Sequence, residues 1–289
     1  NFKQADYVER QSGLCELALH NFPLLGLGHI RIHNRDGVSY LQEMLPVDCL
    51  FLDPARRDGH GGKTVAISDC EPDVTVLEPL LVDKAKKVMV KLSPMLDLSL
   101  ALNELKTVRA VHIVAVNNEC KELLLILQKE SVSSEVSIHC EHIAGNGESR
   151  HYTFTLKREK TSPCLLADEV GTYLYEPNAA ILKAGAFRSL TQTYPVAKLH
   201  LNSHLYTSVS LVPDFPGRRF RVEAVSGFGK KELKAFLMDM DKANITIRNF
   251  PLSVAELRKR LKLKEGGDDY IFATTLSGGQ KVLIRGKKC

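Results

Sequence analysis

Short apolar runs alternate with amphipathic stretches through the first 160 residues of the chain. "ADYVE" (Ala5 to Glu9) predicts a strand, and the pattern through about Leu25 predicts a helix. "HIRIHN" predicts a second strand and "GVSYLQEM" a short helix. "VDCLFLD" is a continuous apolar run, the mark of a parallel strand covered on both faces. "KKVMVKL" and "VRAVHIVAV" repeat that character, and "LSLALNEL" and "CKELLLIL" after them predict helices. This rhythm predicts an α/β fold, a doubly wound and mostly parallel sheet with right-handed crossovers. "EVSIHCEHI" and "RHYTFTLK" flank a Gly145-Asn146-Gly147 turn and predict a closing antiparallel hairpin.

Beyond it the pattern changes. "REKTSPC" (Arg158 to Cys164) predicts a polar linker, and "EPNAAILKAGAFRSL" a helix with Pro177 in its first turn. "FPGRR" marks a second boundary near Gly217. The remainder predicts strand ("FRVEAVS"), helix ("KKELKAFLMDM"), strand ("NITIRN"), helix ("SVAELRKRLKLK") and two strands ("YIFATT", "KVLIRG") joined by "SGGQ". Ser253 and Glu256 have capping-box spacing. The expected modules are residues 1–160, 161–217 and 218–289, the last two being small α+β domains.

A chain of 289 residues exceeds the usual single domain, which agrees with several modules. No apolar run approaches the roughly 20 residues of a membrane helix. The seven cysteines form no CxxC pair, which predicts reduced thiols in a cytoplasmic protein rather than a disulfide framework or a zinc site. Charge is unevenly spread. Residues 181–289 carry 20 Lys and Arg against 9 Asp and Glu, a net of +11, whereas residues 1–180 carry 19 against 25, a net of −6. A basic tail on an acidic body favours a polyanionic partner, nucleic acid above all.

In open α/β sheets, ligands bind outside the carboxyl ends of the strands. Three acids stand there in series: Glu9, Asp36 and Asp53. "DYVER", "NRDG" and "LFLDPARR" resemble the second, third and fourth motifs of class I S-adenosylmethionine-dependent methyltransferases. Together with "KLSPMLD", "YEPNAAILKAG" and the basic tail, they resemble one bacterial family. Its members join a methyltransferase domain to a ferredoxin-like segment and a C-terminal THUMP-like domain. The resemblance spans nearly the whole chain.

It implies that Glu9 holds the cofactor ribose, and Asp36 with Gly37 the adenine. Asp53 and Pro54 would stand at the reaction centre. The family's Gly-rich first motif is expected about 20 residues before Glu9. Only eight residues precede Glu9 here and none is Gly, so that strand and loop are missing from the sequence. Ala55 and Arg56 replace the proline and aromatic of base N-methylating enzymes, and no cysteine follows the next strand as uridine C5-methylation requires. The acceptor atom stays open, and Arg56 and Arg57 are expected on a substrate anion. The resemblance further implies RNA, either tRNA or rRNA, on the last module, through Arg258, Lys259, Arg260 and Lys262 around a Leu257/Leu261 stripe.

Two patterns lead elsewhere. "GGKT" (Gly61 to Thr64) mimics a P-loop end, but Arg57 replaces its first glycine and "TVAISD" is strand-like. "HCEH" resembles a metal motif, yet on a strand His139 and His142 point to opposite faces, so no metal is expected. A non-catalytic RNA-binding protein on a degenerate methyltransferase fold is the alternative. A nicotinamide-dependent dehydrogenase, whose ribose Glu9 would also suit, comes third.

Overall fold

The computed structural model describes residues 2–56, 66–129 and 135–289. The chain divides into two compact units, residues 1–111 with 123–134 and residues 112–122 with 135–289. The first begins with β1 (Ala5–Glu9), α1 (Ser12–Leu24), β2 (Ile30–Asn34), α2 (Gly37–Glu43) and β3 (Val47–Leu52). It continues through β4 (Ala55–Arg56), β5 (Cys70–Glu71), α3 (Val74–Lys84), β6 (Ala85–Leu92) and α4 (Leu98–Glu104). The hairpin of β7 (Val108–Val116) and β8 (Glu119–Leu127) is where the units divide.

β1 pairs in parallel with β2, and β3 with β6. β1 and β3 each keep one edge without a strand partner among the described residues. The helices start at side-chain caps. Asp36, Asp73 and Asp97 accept the backbone N–H of Ser39, Thr75 and Leu100 at the heads of α2, α3 and α4. Val88, Val90, Val111, Leu123, Leu125 and Leu127 are fully buried. Each such side chain contributes roughly 1.5–3 kcal/mol.

"CKELLLIL" is a strand, not the predicted helix. Asn117 and Asn118 have φ of 50° and 63°, the positive pair of a two-residue type I′ turn, which sends the chain straight back as β8. β8 runs antiparallel to β6. The six-stranded order is β10-β9-β7-β8-β6-β3, where β9 (Ser137–Ile143) and β10 (Ser149–Thr155) form the predicted closing hairpin. The antiparallel insertion is thus β8, and the closing hairpin extends the sheet beyond β7.

The linker expected at Arg158 to Cys164 is helical in its first part. Thr155 caps α5 (Leu156–Thr161), accepting from Arg158 N–H at 3.1 Å. Glu159 of α5 accepts the backbone N–H groups of Phe187, Arg188 and Ser189 at 2.7–2.9 Å, which fixes the segment. β11 (Tyr173–Pro177) precedes α6 (Ala179–Ala184) and α7 (Ser189–Thr193). Pro177 ends a strand rather than starting a helix, because Asn178 is the cap, accepting from Ile181 N–H at 3.1 Å.

β12 (Ala197–Lys198), β13 (Tyr206–Ser208), β14 (Gly217–Ser226), α8 (Lys230–Phe236), β15 (Asn244–Arg248), α9 (Val254–Leu261), β16 (Asp269–Thr275) and β17 (Lys281–Lys288) complete the second unit. One seven-stranded sheet, β12-β13-β11-β14-β17-β16-β15, runs through it. Leu174, Phe220, Phe272 and Ile284 fill one core, and Ile271, Ala273 and Leu283 pack with Phe236, Leu257 and Leu261 in another. Gly217 must be glycine, since a Cβ there would lie 2.1 Å from the Glu176 carbonyl oxygen. Ile67–Asp69, part of the strand-like "TVAISD", forms a 3₁₀ turn.

Candidate functional site

In the first unit, β1 and β2 end level, with Glu9 opposite Asn34. Glu9 turns one carboxylate oxygen to the N–H of Gln11 at 2.8 Å, and its carbonyl accepts from Asn34 Nδ2 at 3.0 Å and Arg35 N–H at 3.1 Å. Asp36, at the head of α2, takes both the N–H (2.8 Å) and the hydroxyl (3.0 Å) of Ser39. Those bonds hold its carboxyl below the usual carboxylate range. A Cβ on Gly37 would meet nothing within 4 Å, so its backbone is open to approach.

Asp53 follows β3, where the register places it beside Lys91 of β6. Lys91 Nζ donates to Asp53 Oδ2 at 2.6 Å, and the Asp53 side chain is 55% exposed. Ala55 of β4 pairs with Glu71 of β5, and Glu71 meets Arg10 at 3.2 Å. A chain of contacts therefore runs from the residue after Glu9 to the strand after Pro54. Arg56 ends β4; Arg57 and the "GGKT" residues lie outside the described residues.

These residues fit a nucleoside cofactor. Glu9 has one carboxylate oxygen left for a diol, Asp36 keeps an acceptor for an exocyclic amine, and the Gly37 backbone leaves room for a ring. No group of three or more potential metal donors occurs among the described residues. His139 and His142 do separate. His139 faces Thr153 at 3.1 Å and stacks on His112, while His142 Nε2 accepts the Asn118 N–H at 3.1 Å. Burial, and then the charge of Arg150, push the His142 imidazole below its ordinary value.

In the second unit the cations of α9 diverge. Leu257 and Leu261 are buried as predicted. Arg258 turns toward β15 and donates to the Ala243 carbonyl at 3.1 Å, whereas Arg260 lies over the Phe228 ring at 4.3 Å. Lys259 is exposed, and Lys262 forms the left-handed C-cap (φ 57°). Arg258 lines a cavity here. Near it, the buried carboxylate of Glu176 binds two arginines. Arg218 Nε donates at 2.8 Å, with its Nη2 on the same oxygen, and Arg248 Nη2 donates to the other oxygen at 3.0 Å.

Comparison with known proteins agrees with this architecture. Residues 173–216 match a ferredoxin-like domain model and residues 217–288 a THUMP-like domain model. The crystal structure of a proposed methyltransferase from Porphyromonas gingivalis W83 is similar with a TM-score of 0.88 and 36% identity, over 99% of this chain and 72% of that one. The chain belongs to that family. It has the methyltransferase-like fold followed by the ferredoxin-like and THUMP-like domains. No curated protein matches it. Among the described residues no helix is long and apolar enough to cross a membrane.

The ion pairs bring forward two residues with no local signal in the sequence, Lys91 and Glu176. Lys91 stands in "KLSPMLD", and Glu176 in "YEPNAA", both quoted for the resemblance but given no role. Lys91 could be found only with the register of β3 on β6. Glu176 has arginine partners 42 and 72 residues away, which no local spacing exposes.

Proposed function

We propose that the protein is an S-adenosylmethionine-dependent methyltransferase acting on RNA, tRNA or rRNA, with its basic C-terminal domain positioning the substrate. The observation that carries this reading is the series of carboxylates at the carboxyl ends of β1, β2 and β3. When bound, the cofactor supplies an electrophilic methyl group on sulfonium. Glu9 would take the ribose hydroxyls, and Asp36 with the Gly37 backbone the adenine. Asp53, its Oδ2 held by Lys91, keeps Oδ1 to accept a hydrogen bond from the substrate and orient the acceptor atom. Pro54 stiffens the turn that presents it. Arg56 and Arg57 would hold a substrate anion, and the cations of α9 RNA phosphates, Arg258 foremost with Lys259 and Lys262 as solvated neighbours.

Methyl transfer from radiolabelled S-adenosylmethionine to bulk RNA tests the reading. Asp53→Ala should abolish transfer while the affinity for S-adenosylhomocysteine, measured calorimetrically, stays the same. Full activity in that variant removes Asp53 from the mechanism. A second reading, a non-catalytic RNA-binding protein on the same fold, is favoured by the engagement of Asp53 in an ion pair with Lys91. RNA binding with no affinity for S-adenosylhomocysteine would decide for it.

A further inference from the structure

The cavity beside β15 has a volume of about 550 Å³ and is lined by Arg218, Asn244, Thr246, Ala255, Arg258 and Tyr270 among others. That size is in the range of small-molecule sites. Two guanidinium groups face it against one lining carboxylate, Glu265. Glu256, at the same end of α9, turns its carboxylate to the Ser253 N–H and hydroxyl, both at 2.7 Å.

Both arginines are held in place from behind. Arg218 is pinned through Nε and Nη2 on Glu176, which is itself 2% exposed, and its Nη1 has no protein acceptor among the described residues. Arg248 neutralises the other oxygen of that carboxylate, so Arg218 keeps the net positive charge it shows the cavity. Arg258 is anchored by one bond to the Ala243 carbonyl, leaving its remaining N–H groups available. Orienting a guanidinium in advance lowers the entropy lost on gripping a planar or tetrahedral oxyanion.

Polar and aromatic groups complete the lining. Asn244 spends its Nδ2 on the Gly267 carbonyl at 2.8 Å and keeps an amide oxygen free. The Thr246 hydroxyl has no protein partner among the described residues. Tyr270 and the Arg218 guanidinium plane, 6.0 Å from its ring centroid, offer flat surfaces of the kind on which bases stack.

We propose that this cavity binds a nucleoside phosphate. Arg218 and Arg258 would take the phosphate, Tyr270 the base, and Asn244 and Thr246 the sugar or base edge. The nucleotide is either free or one unit of an RNA strand, and the inference rests on the RNA reading above only for the second source.

The test uses the full chain with two probes: a fluorescein-labelled single-stranded RNA decamer read by anisotropy, and adenosine 5′-monophosphate read by calorimetry and as a competitor. Ala255→Glu adds a carboxylate to the lining. In the first turn of α9 an acid favours the helix, so this variant should stay folded. Arg258→Gln removes one cation and retains an amide for the Ala243 carbonyl. Each should weaken the bound probe about tenfold, the scale of one charge-assisted hydrogen bond, with an unchanged circular dichroism spectrum.

If the monophosphate binds and both variants weaken it, the pocket takes free nucleotides, and this holds even if the decamer does not bind and the RNA reading fails. If the decamer binds, the monophosphate does not compete and both variants weaken the decamer, the source is the strand. If neither variant weakens either probe that binds, the pocket is overturned, and decamer binding then leaves the RNA reading standing. Binding of neither probe overturns the pocket.

Discussion

Replacing Glu176 with alanine tests whether the buried carboxylate holds the second unit together. Its side chain is 3% exposed and carries two arginines, one on each oxygen. Removing one partner of a fully buried ion pair costs about 3–5 kcal/mol, because the remaining charge is left uncompensated. Both arginine side chains are 35% exposed and can regain part of their hydration, which places the expected loss at the lower end, about 3 kcal/mol. For a unit of this size that corresponds to a fall in Tm of about 6–12 °C. Urea unfolding followed by far-ultraviolet circular dichroism gives the free energy directly, and a thermal scan gives the Tm. Lys259→Ala, at an exposed position on α9, serves as the control and should stay within about 0.5 kcal/mol. A loss below about 1 kcal/mol for Glu176→Ala would mean that the arginines simply turn to water and that the carboxylate does not organise them.

Two further outcomes are expected. His204 stacks on Phe187, and burial, followed by the charges of Lys198 and Arg248, lowers its imidazole from 6.5 to about 4. The unfolded chain therefore takes up this proton first as pH falls, so stability is complete above 6.5 and declines toward 4, by about 1–2 kcal/mol for a partly exposed ring. His204→Asn, which tolerates the local φ of 54°, should flatten that part of the urea-stability profile; an unchanged slope would assign the decline to other groups. Asn118 holds a φ of 63° and accepts the Ala179 N–H at 2.9 Å. Asn118→Ala loses both the turn preference and the cap, about 2 kcal/mol together, whereas Asn118→Gly keeps the turn and should cost about half as much. Equal losses in the two variants would refute the turn argument.

The parts of the fold that could be read from the chain are those where one physical cause acts locally. β6 buries Val88, Val90 and Leu92 of its apolar run, and the Ser253–Glu256 box closes the head of α9 as its spacing predicts. β3, by contrast, is not covered on both faces as its run predicts, since Phe51 is 57% exposed. β8 has the same apolar content as a buried helix, and what separates the two is a pair of asparagines. Each needs a positive φ, and the turn signal usually sought there is Asn-Gly. Asp36 shows a different limit. An acid after a strand can be a ligand or a helix cap, and Asp73 and Asp97 cap α3 and α4 in the same way. Being a cap therefore does not distinguish Asp36; only its place beside Glu9, at the ends of paired parallel strands, does.

The pairings that give the candidate sites their charge arise from register rather than spacing. Lys91 reaches Asp53 because β3 and β6 align Leu52 with Val90, and Arg218 and Arg248 meet Glu176 from two other strands. The same logic separates the cations of α9, which look equivalent in the sequence. Successive helical residues are about 100° apart, so three consecutive basic side chains cannot face one surface. Arg258 joins Arg218 at the cavity while Arg260 covers Phe228, and the basic helix becomes one oriented cation with solvated neighbours. A phosphate on this unit should therefore depend sharply on Arg258 and weakly on Lys259, a contrast that a uniform basic stripe would not produce.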